Sequence, residues 1–334
     1  MPSATSSPFY IPSVDITPYL TDPDSTEGQQ VIDKIRSACL STGFFQLLGH
    51  GVSLSLQASV FEAAAKFFAL PADIKMALKA SAKSGFKGYD VMASQSYEKD
   101  VLADLKEGFV MGIDHDENDP RVLAKRFFTG PNTWPSAEIL APKLFKEPMK
   151  EYYQAMSKLC SLVLELLAAT LPYGPHVFDE FNENEPACPL RLLHYPPTPA
   201  EDARKRQLGS SAHTDFGAIT LLLQDEHEGL EVLDRDTGNW VLVPPNKDAY
   251  VVNLGDMMSK LTGGVYKSSM HRVVNRNKTD RYSVVFFFDG NRDFKLSPLG
   301  AGPESQKEAA MTAEEYMFDR LNFSYGKHET KVPS

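Results

Sequence analysis

Apolar residues recur at helical spacing in the first part of the chain. Between residues 26 and 43 they fall at positions i, i+3, i+4 and i+7, which predicts an amphipathic helix. Thr26 and Gln29 match a capping box that would begin this helix, and Gly43 stands where a left-handed C-terminal cap is expected. The apolar positions of the stripe are Val31, Ile32, Ile35, Ala38 and Cys39.

Further apolar patterns predict one strand and three more helices. Residues 43–52 (GFFQLLGHGV) are continuously apolar and aromatic, as in a buried strand. A second helix follows, and Pro71 can open a short third one. After a loop-like stretch over residues 81–135 comes a long amphipathic helix, which Pro172 and Gly174 end. The stripe of the second helix is Leu56, Val60, Ala64, Phe67 and Phe68, and that of the long helix is Phe145, Met149, Tyr152, Met156, Leu159, Cys160, Val163 and Leu167.

From residue 190 the pattern changes to short strands. Turn residues such as Asp236, Gly238 and Gly255 separate them. Evenly spaced short strands are typical of a sandwich or closed barrel, so we predict a mainly β protein with flanking helices. The predicted strands are LRLLHYP, AITLLLQ, LEVLD, NWVLVP, AYVVNL, HRVVN and RYSVVFFF.

Composition and charge narrow the class of protein. The chain is 42% apolar and 23% charged, which excludes wholesale disorder. Its net charge of −10 argues against nucleic acid or an anionic membrane as the main partner and leaves a small-molecule ligand open. Cys39, Cys160 and Cys188 form neither a disulfide framework nor a metal cassette. With no secretory signal and no bilayer-length apolar run, we expect a cytoplasmic protein.

Two His-x-Asp or His-x-Glu pairs could offer two metal ligands from one strand face, although about one such pair is expected by chance. His115 lies in the acidic sequence GIDHDENDP, which favours a solvated turn. His213 and Asp215 instead precede the apolar run over residues 219–223, at the start of a predicted strand. A histidine that is merely hydrogen-bonded at a strand end explains His213 equally well.

His271 opens a distant strand, MHRVVN, and is the third candidate ligand. Together with His213 and Asp215 it would make a set of two imidazoles and one carboxylate. That set leaves positions open on one side of a non-haem iron, as oxygen chemistry requires. A zinc site could use the same ligand types.

Arg281 and Ser283 share one face of the predicted strand RYSVVFFF, whose apolar character implies burial. A buried guanidinium beside a hydroxyl suits a carboxylate ligand, and Tyr195 could donate a further hydrogen bond to it. The alternatives are an internal salt bridge for Arg281 and an ordinary core position for Tyr195.

The order of these motifs resembles the isopenicillin N synthase-like family of Fe(II)- and 2-oxoglutarate-dependent dioxygenases. The resemblance covers nearly the whole chain. One departure is Leu193, where many plant members have asparagine two residues before the tyrosine. The matching segments are GFFQLLGHGV, DLKEGF, GPNTWP, LRLLHYPP, HTDFGAITLLLQD, GLEV, VVNLGDMM, YKSSMHRVVN, RYSVVFFF and, at the C-terminus, EEYMFDRLNFSYG.

The resemblance implies a double-stranded β-helix (jelly roll) over residues 136–334, with a long supporting helix and a C-terminal helix, and a helical and mixed region over residues 1–135 packed on it. It implies iron on His213, Asp215 and His271. It also implies 2-oxoglutarate held at its distal carboxylate by Arg281 and Ser283, with help from Tyr195. The implied reaction consumes O2 and 2-oxoglutarate, releases succinate and CO2, and hydroxylates, desaturates or cyclises a small organic molecule, in specialised metabolism.

Three rival functions remain at this point. The first is a 2-oxoglutarate-independent oxidase or cyclase of the isopenicillin N synthase type, whose branch also has the Arg-x-Ser motif. The second is a zinc hydrolase on the same three ligands, against which no obvious general base stands beside the motif. The third is a binding module that keeps the fold without turnover, against which the intact ligand set and Arg281 argue.

The strand period of two extends the argument toward the substrate. It places Phe287 on the same face as Arg281, Ser283 and Val285. We therefore expect Phe287 to point into the barrel, where it would either pack against substrate or form part of the core. Residues 84–112 and the C-terminal helix are expected to complete the pocket and its lid.

Overall fold

The computed structural model describes residues 9–95, 102–198, 207–300 and 311–325, with side chains up to residue 321 in the last segment. Within these ranges the chain forms two β-sheets and a set of helices. The strands are β1 (Ser13–Asp15), β2 (Phe44–Leu48), β3 (Gly88–Asp90), β4 (Glu107–Met111), β5 (Leu190–Tyr195), β6 (Ser210–His213), β7 (Ile219–Gln224), β8 (Leu230–Leu233), β9 (Trp240–Leu242), β10 (Tyr250–Leu254), β11 (His271–Val273) and β12 (Arg281–Phe288). The helices are α1 (Thr17–Thr21), α2 (Thr26–Ser41), α3 (Leu54–Phe68), α4 (Ala72–Ala77), α5 (Pro120–Leu123), α6 (Lys146–Ala169), α7 (Asp256–Leu261) and α8 (Ala313–Tyr325).

The strands pair almost entirely antiparallel. The large sheet has the order β1-β2-β10-β7-β12-β5-β4-β3, and the small sheet has the order β6-β11-β8-β9. Only β1 and β2, among the described pairs, run parallel. Strands from the first 135 residues extend the large sheet at both of its edges. The predicted jelly-roll core with flanking helices is therefore confirmed, whereas the division at residue 135 stays a prediction.

Two apolar layers cover the two faces of the large sheet. On one face, the sheet packs against α2, α3 and α6, whose predicted apolar stripes are buried except for Leu56, which is partly buried. On the other face, a smaller cluster joins it to the small sheet. The alternation of β12 connects these layers, because Phe286 and Phe288 belong to the helix side while Val285 and Phe287 face the small sheet. The predicted alternation of side chains between the two faces of β12 is thus confirmed.

The capping residues at the two ends of α2 can be compared with the predicted ones. Gly43 follows the helix with φ +71°, and a Cβ there would come within 1.9 Å of the Lys267 carbonyl oxygen, so only glycine fits. The predicted start is one residue late. The side chain of Ser25, and not of Thr26, accepts the hydrogen bond from the backbone N–H of Gly28.

The other predicted helices lie close to their expected positions, whereas α1, α5 and α7 were not predicted. Pro71 immediately precedes α4, and α6 ends before Pro172 and Gly174. The predicted C-terminal helix is α8, although Gly326, the last residue of the matching segment, lies outside the described residues. No helix in the described part of the chain has both the length and the apolar character needed to cross a membrane.

Candidate active site

His213, Asp215 and His271 lie together at one end of the β6–β11 strand pair in the small sheet. His213 is the last residue of β6 and His271 is the first of β11, and the two lie directly opposite each other across this antiparallel pair. Asp215 was expected on the same strand as His213, but β6 ends at His213 and Asp215 lies in the following turn. Its Oδ1 is 3.7 Å from Nε2 of His213 and 3.6 Å from Nε2 of His271. The three ligand atoms lie within 4.8 Å of one another, close enough to share one metal ion.

Backbone carbonyls orient both imidazoles in the same way. Nδ1 of His213 lies 2.7 Å from the carbonyl oxygen of Ser211, and Nδ1 of His271 lies 3.2 Å from that of Ser269. In each case Nδ1–H donates to the carbonyl two residues earlier, so that the unprotonated nitrogen is Nε2, the one measured above to Oδ1 of Asp215. This is the usual way in which a metal-binding histidine is fixed in one tautomer.

Two side chains from the large sheet hold the carboxylate of Asp215. The hydroxyl of Thr220 donates to its Oδ2 at 2.6 Å, and the side-chain amide of Asn253 donates to the same oxygen at 2.7 Å. Thr220 and Asn253 are directly opposite each other on β7 and β10, so the sheet register brings the donors together. With Oδ2 occupied, Oδ1 is the oxygen that faces the two imidazoles.

The electrostatics of the cluster suit a cation. Burial, reinforced by the neighbouring charge of His271, lowers the pKa of His213 to about 3, so its imidazole is neutral near pH 7. Burial acts to raise the pKa of Asp215, but His271, His213 and the donors Asn253 and Thr220 outweigh it and hold this pKa below its ordinary value. A neutral imidazole at His213 and an ionised carboxylate at Asp215 are the forms that bind a metal ion.

Arg281 is buried at the start of β12 and is 1% exposed. Its Nη2 donates to Oε1 of Gln224 at 2.9 Å, and its Nε donates to the carbonyl oxygen of His227 at 3.2 Å. Within the described residues, its Nη1 has no hydrogen-bond partner and no carboxylate forms a salt bridge with it. Burial lowers the pKa of this arginine. The internal salt bridge considered from sequence is therefore not formed, and the guanidinium retains a free donor for an anion.

Tyr195 and Ser283 complete the surroundings of Arg281. Tyr195 lies directly opposite Arg281 on β5, with its ring 5.1 Å from the guanidinium carbon. Ser283 is 1% exposed and lies opposite Leu193, the residue at which the chain departs from the plant pattern. The residues predicted to form an anion site thus lie on two adjacent strands.

One cavity of about 790 Å³ joins all seven predicted site residues. Phe287 lines it and lies directly opposite Thr220, so it is level with the residues that hold Asp215. Residues within the expected 84–112 region line this cavity, as do Met317, Phe318 and Leu321 of α8. Both predicted contributions to the pocket are confirmed for the described residues, whereas residues 96–101 lie outside them.

Sequence reasoning missed the residues that anchor β6. Oδ1 of Asp104 accepts a hydrogen bond of 2.8 Å from the backbone N–H of Ser211. Nζ of Lys106 donates to Oδ2 of Asp104 and to Oγ of Ser210, both at 2.9 Å. Asp104 and Lys106 lie in the matching segment DLKEGF, whose sequence alone indicates no role for them. These contacts position the strand that ends in His213.

Asp289 was also missed, although the alternation that predicted Phe287 leads to it two residues later. It directly follows β12, lines the cavity and is 3% exposed. Its Oδ2 has no hydrogen-bond partner in the part of the chain that the structure describes. Burial and then the negative charge of Asp215 raise its pKa to about 8, against the opposing effect of Arg292.

The prediction for His115 is wrong. This histidine is 5% exposed, with Nδ1 3.5 Å from Nζ of the fully buried Lys87. Nζ of Lys87 donates to the carbonyl oxygens of Ile113 and Gly130, and these hydrogen bonds hold the segments on either side of the acidic loop together beside His115. Loop composition alone could not reveal a lysine, distant in sequence, that lies beneath the loop.

A second group of potential ligands, Asp225, Glu226 and His227, lies outside the cavity lining. Asp225 already accepts hydrogen bonds from the backbone N–H of Tyr282 and from Nδ1 of His227, while Glu226 is exposed. The His213 cluster is therefore the candidate metal centre.

Comparisons with known proteins agree with this site. The model of the 2OG-Fe(II) oxygenase superfamily matches residues 186–290, and that of the non-haem dioxygenase in morphine synthesis N-terminal region matches residues 11–137. A 2-oxoglutarate-dependent dioxygenase of Monascus ruber is 65% identical over 97% of this chain and 98% of its own length. The clavatol oxidase of Penicillium crustosum is 52% identical over 97% of this chain and 99% of its own.

A solved structure shares the whole architecture. A full-length Neurospora crassa protein, crystallised with α-ketoglutarate and thymine, superposes with a TM-score of 0.80 at 25% identity, covering 95% of this chain and 98% of that one. The cluster of His213, Asp215 and His271, the unpartnered Nη1 of Arg281 and these relatives all indicate the same family. The chain therefore belongs to the isopenicillin N synthase-like Fe(II)- and 2-oxoglutarate-dependent dioxygenases and is an oxidoreductase that uses Fe(II), 2-oxoglutarate and O2.

Proposed function

We propose that His213, Asp215 and His271 bind the Fe(II), and that Arg281 and Ser283, assisted by Tyr195, bind the distal carboxylate of 2-oxoglutarate. One observation carries this assignment. Arg281 is fully buried in the cavity of the three-ligand cluster, yet its Nη1 has no partner among the described residues. A buried guanidinium in that state calls for an anion, and a carboxylate fits its planar donors.

The side chains of the protein would position the metal ion, the cosubstrate and the substrate and exclude water from the cavity. Bound Fe(II) and 2-oxoglutarate supply O2 activation, with release of succinate and CO2. Thr220 and Asn253 keep one carboxylate oxygen of Asp215 facing the histidines. Gln224 accepts a hydrogen bond from Arg281 and thereby fixes the guanidinium plane. Phe287 places an apolar ring level with this cluster, where it would pack against substrate and exclude water.

The proposed substrate is a small, flat and mostly apolar organic molecule. Aromatic side chains such as Phe287, Phe127, Phe128 and Phe318 line the cavity, whose volume is that of an ordinary small-molecule site. The compounds named with the similar proteins, clavatol and thymine, are small molecules. Hydroxylation, desaturation and cyclisation are all compatible with this site.

We place the reaction in the specialised metabolism of the cytoplasm, with no nucleic acid or membrane as partner. The net charge of −10 supports the absence of a polyanionic partner. Cys39, Cys160 and Cys188 are free and buried, which suits a reducing compartment.

A single-turnover screen tests the proposed function. The chain is loaded anaerobically with Fe(II) and 2-oxoglutarate, mixed with individual small molecules and then exposed to a pulse of O2. We expect at least one compound to stimulate succinate release in step with its own oxidation. Oxidation of a compound without consumption of 2-oxoglutarate would instead support the oxidase alternative. A His271→Ala variant is the matched control for succinate formed away from the proposed iron.

A further inference from the structure

The inward face of β12 continues past Phe287 to Asp289. Arg281, Ser283, Val285 and Phe287 line the cavity at every second position, and Asp289 lines it at the next. Phe287 lies opposite Thr220, whose hydroxyl donates a hydrogen bond to Asp215, so the Phe287–Thr220 pair is level with the proposed metal ligands. Along β12, Arg281 lies on one side of this pair and Asp289 on the other. If 2-oxoglutarate extends toward Arg281, the end of the cavity beside Asp289 is left for substrate.

The main chain of Asp289 is held in place, whereas one oxygen of its carboxyl group has no partner among the described residues. The backbone N–H of Asp289 donates to the carbonyl oxygen of Ala187 at 2.8 Å, which fixes the main chain. Gly217 leaves room for the side chain, because a Cβ there would come within 2.1 Å of Oδ1. Oδ2 is buried, and no described residue forms a hydrogen bond with it. A buried polar oxygen is costly to leave unpaired, and this one lines a cavity that a ligand can fill.

We propose that Asp289 is a substrate-recognition residue, whose carboxyl group accepts a hydrogen bond from a hydroxyl or ring N–H group of a flat and otherwise apolar substrate. This assignment rests on the proposed function, which puts 2-oxoglutarate at the opposite end of the cavity. A carboxyl group can accept such a bond whether or not it is protonated. The apolar walls contributed by Phe287, Phe318 and Leu321 would bury the rest of the molecule.

A matched pair of aromatic probes tests the proposal by binding rather than turnover. The full chain is loaded anaerobically with Fe(II) and 2-oxoglutarate, and uptake of 2-oxoglutarate is recorded first. Saturation-transfer NMR titrations then compare 3,5-dimethylphenol with 3,5-dimethylanisole, its methyl ether, which has the same ring but no donor. The proteins are the parent, Asp289→Asn, which keeps an acceptor oxygen, and Asp289→Leu, which has none.

We expect the parent to bind the phenol about 10-fold more tightly than the ether, because the ether leaves a buried acceptor unpaired. Asp289→Asn should keep most of this preference, and Asp289→Leu should lose it. If Asp289→Leu does not fold, Asp289→Ala provides the same comparison. A merely structural Asp289 would lower stability without changing the ratio of the two affinities.

The proposal is overturned if the parent binds both probes equally or binds neither. It is also overturned if Asp289→Leu or Asp289→Ala retains the parental preference. Failure of the proposed function looks different, because the parent would then take up no 2-oxoglutarate in the first step. A loaded protein without preference contradicts only the assignment of Asp289.

Discussion

Asn253 donates a hydrogen bond of 2.7 Å to Oδ2 of Asp215, although 38 residues separate the two in the chain. Asn253 lies on β10 of the large sheet, whereas Asp215 follows β6 of the small one. Since Thr220 donates to the same oxygen, the carboxylate has one orientation before any ligand arrives. The large sheet thus sets the geometry of a cluster whose two histidines belong to the small sheet.

Removal of either donor to Asp215 should weaken metal binding. We expect Thr220→Val and Asn253→Leu each to lower the Fe(II) affinity by about 10–100-fold, the range typical for a lost partner of a metal-binding side chain. Anaerobic titration with Fe(II) measures the effect. Thr21→Val, on the exposed face of α1, is the control and should bind as the parent does. Parental affinity in both site variants would show that the hydrogen bonds to Oδ2 do not matter for the metal.

Removal of one proposed ligand should abolish iron binding while the fold persists. His271→Ala loses an imidazole nitrogen from a set of only three, so we expect no stoichiometric iron by metal analysis and a circular dichroism spectrum like that of the parent. His176→Ala, at a histidine whose side chain is 83% exposed, should keep its iron. One iron per chain in His271→Ala would reject the assignment.

Arg281→Leu should raise the requirement for 2-oxoglutarate steeply. Deleting one partner of a buried, hydrogen-bonded charge pair costs about 2–5 kcal/mol of binding free energy. The concentration of 2-oxoglutarate that gives half-maximal succinate formation measures this loss, and Arg235→Leu, at an exposed arginine, is the control. If half-saturation is unchanged in Arg281→Leu, the arginine has a structural role instead.

The three phenylalanines at the end of β12 should respond differently to truncation. Phe287→Ala should weaken substrate binding or uncouple succinate release from product formation, with moderate loss of stability, because its ring lines the cavity. Phe286→Ala and Phe288→Ala should mainly destabilise, by about 3–5 kcal/mol, because they are 1% and 2% exposed in the helix-side core. The ratio of succinate to oxidised product, measured beside thermal melting, separates the two effects. The reverse pattern would mean that the functional face of β12 is the one bearing Phe286 and Phe288.

Acid should destabilise the protein partly through His115. Burial, together with the positive charges of Lys87, Arg121 and Arg292, lowers the pKa of His115 from 6.5 to about 4 in the folded state. The unfolded chain therefore takes up this proton first as the pH falls from 6.5 toward 4, and that favours unfolding. Urea denaturation should show a larger drop in unfolding free energy between pH 7 and pH 5 for the parent than for His115→Gln. Equal drops would show that His115 is protonated as readily in the folded chain.

Much of this site could be predicted from local sequence. Strand alternation is set by the backbone itself, so the segment RYSVVFFF was enough to place Arg281, Ser283 and Phe287 on one face. The order of His213, Asp215 and His271 among short predicted strands was likewise enough to suggest a shared metal site. Helix caps were nearly as local, and the error at Ser25 was one residue.

Only the tertiary structure decided how these side chains are held and what they lack. Asp215 depends on Thr220 and Asn253, and His115 depends on Lys87, through contacts between segments far apart in the chain. The lack of a partner for Nη1 of Arg281 among the described residues could not be foreseen, because it depends on which acceptor groups the fold brings within hydrogen-bond distance. A strand pattern is a property of neighbouring residues. Whether a buried polar atom has a partner is a property of the whole packed interior, and among the described residues nothing accepts a hydrogen bond from Nη1 of Arg281.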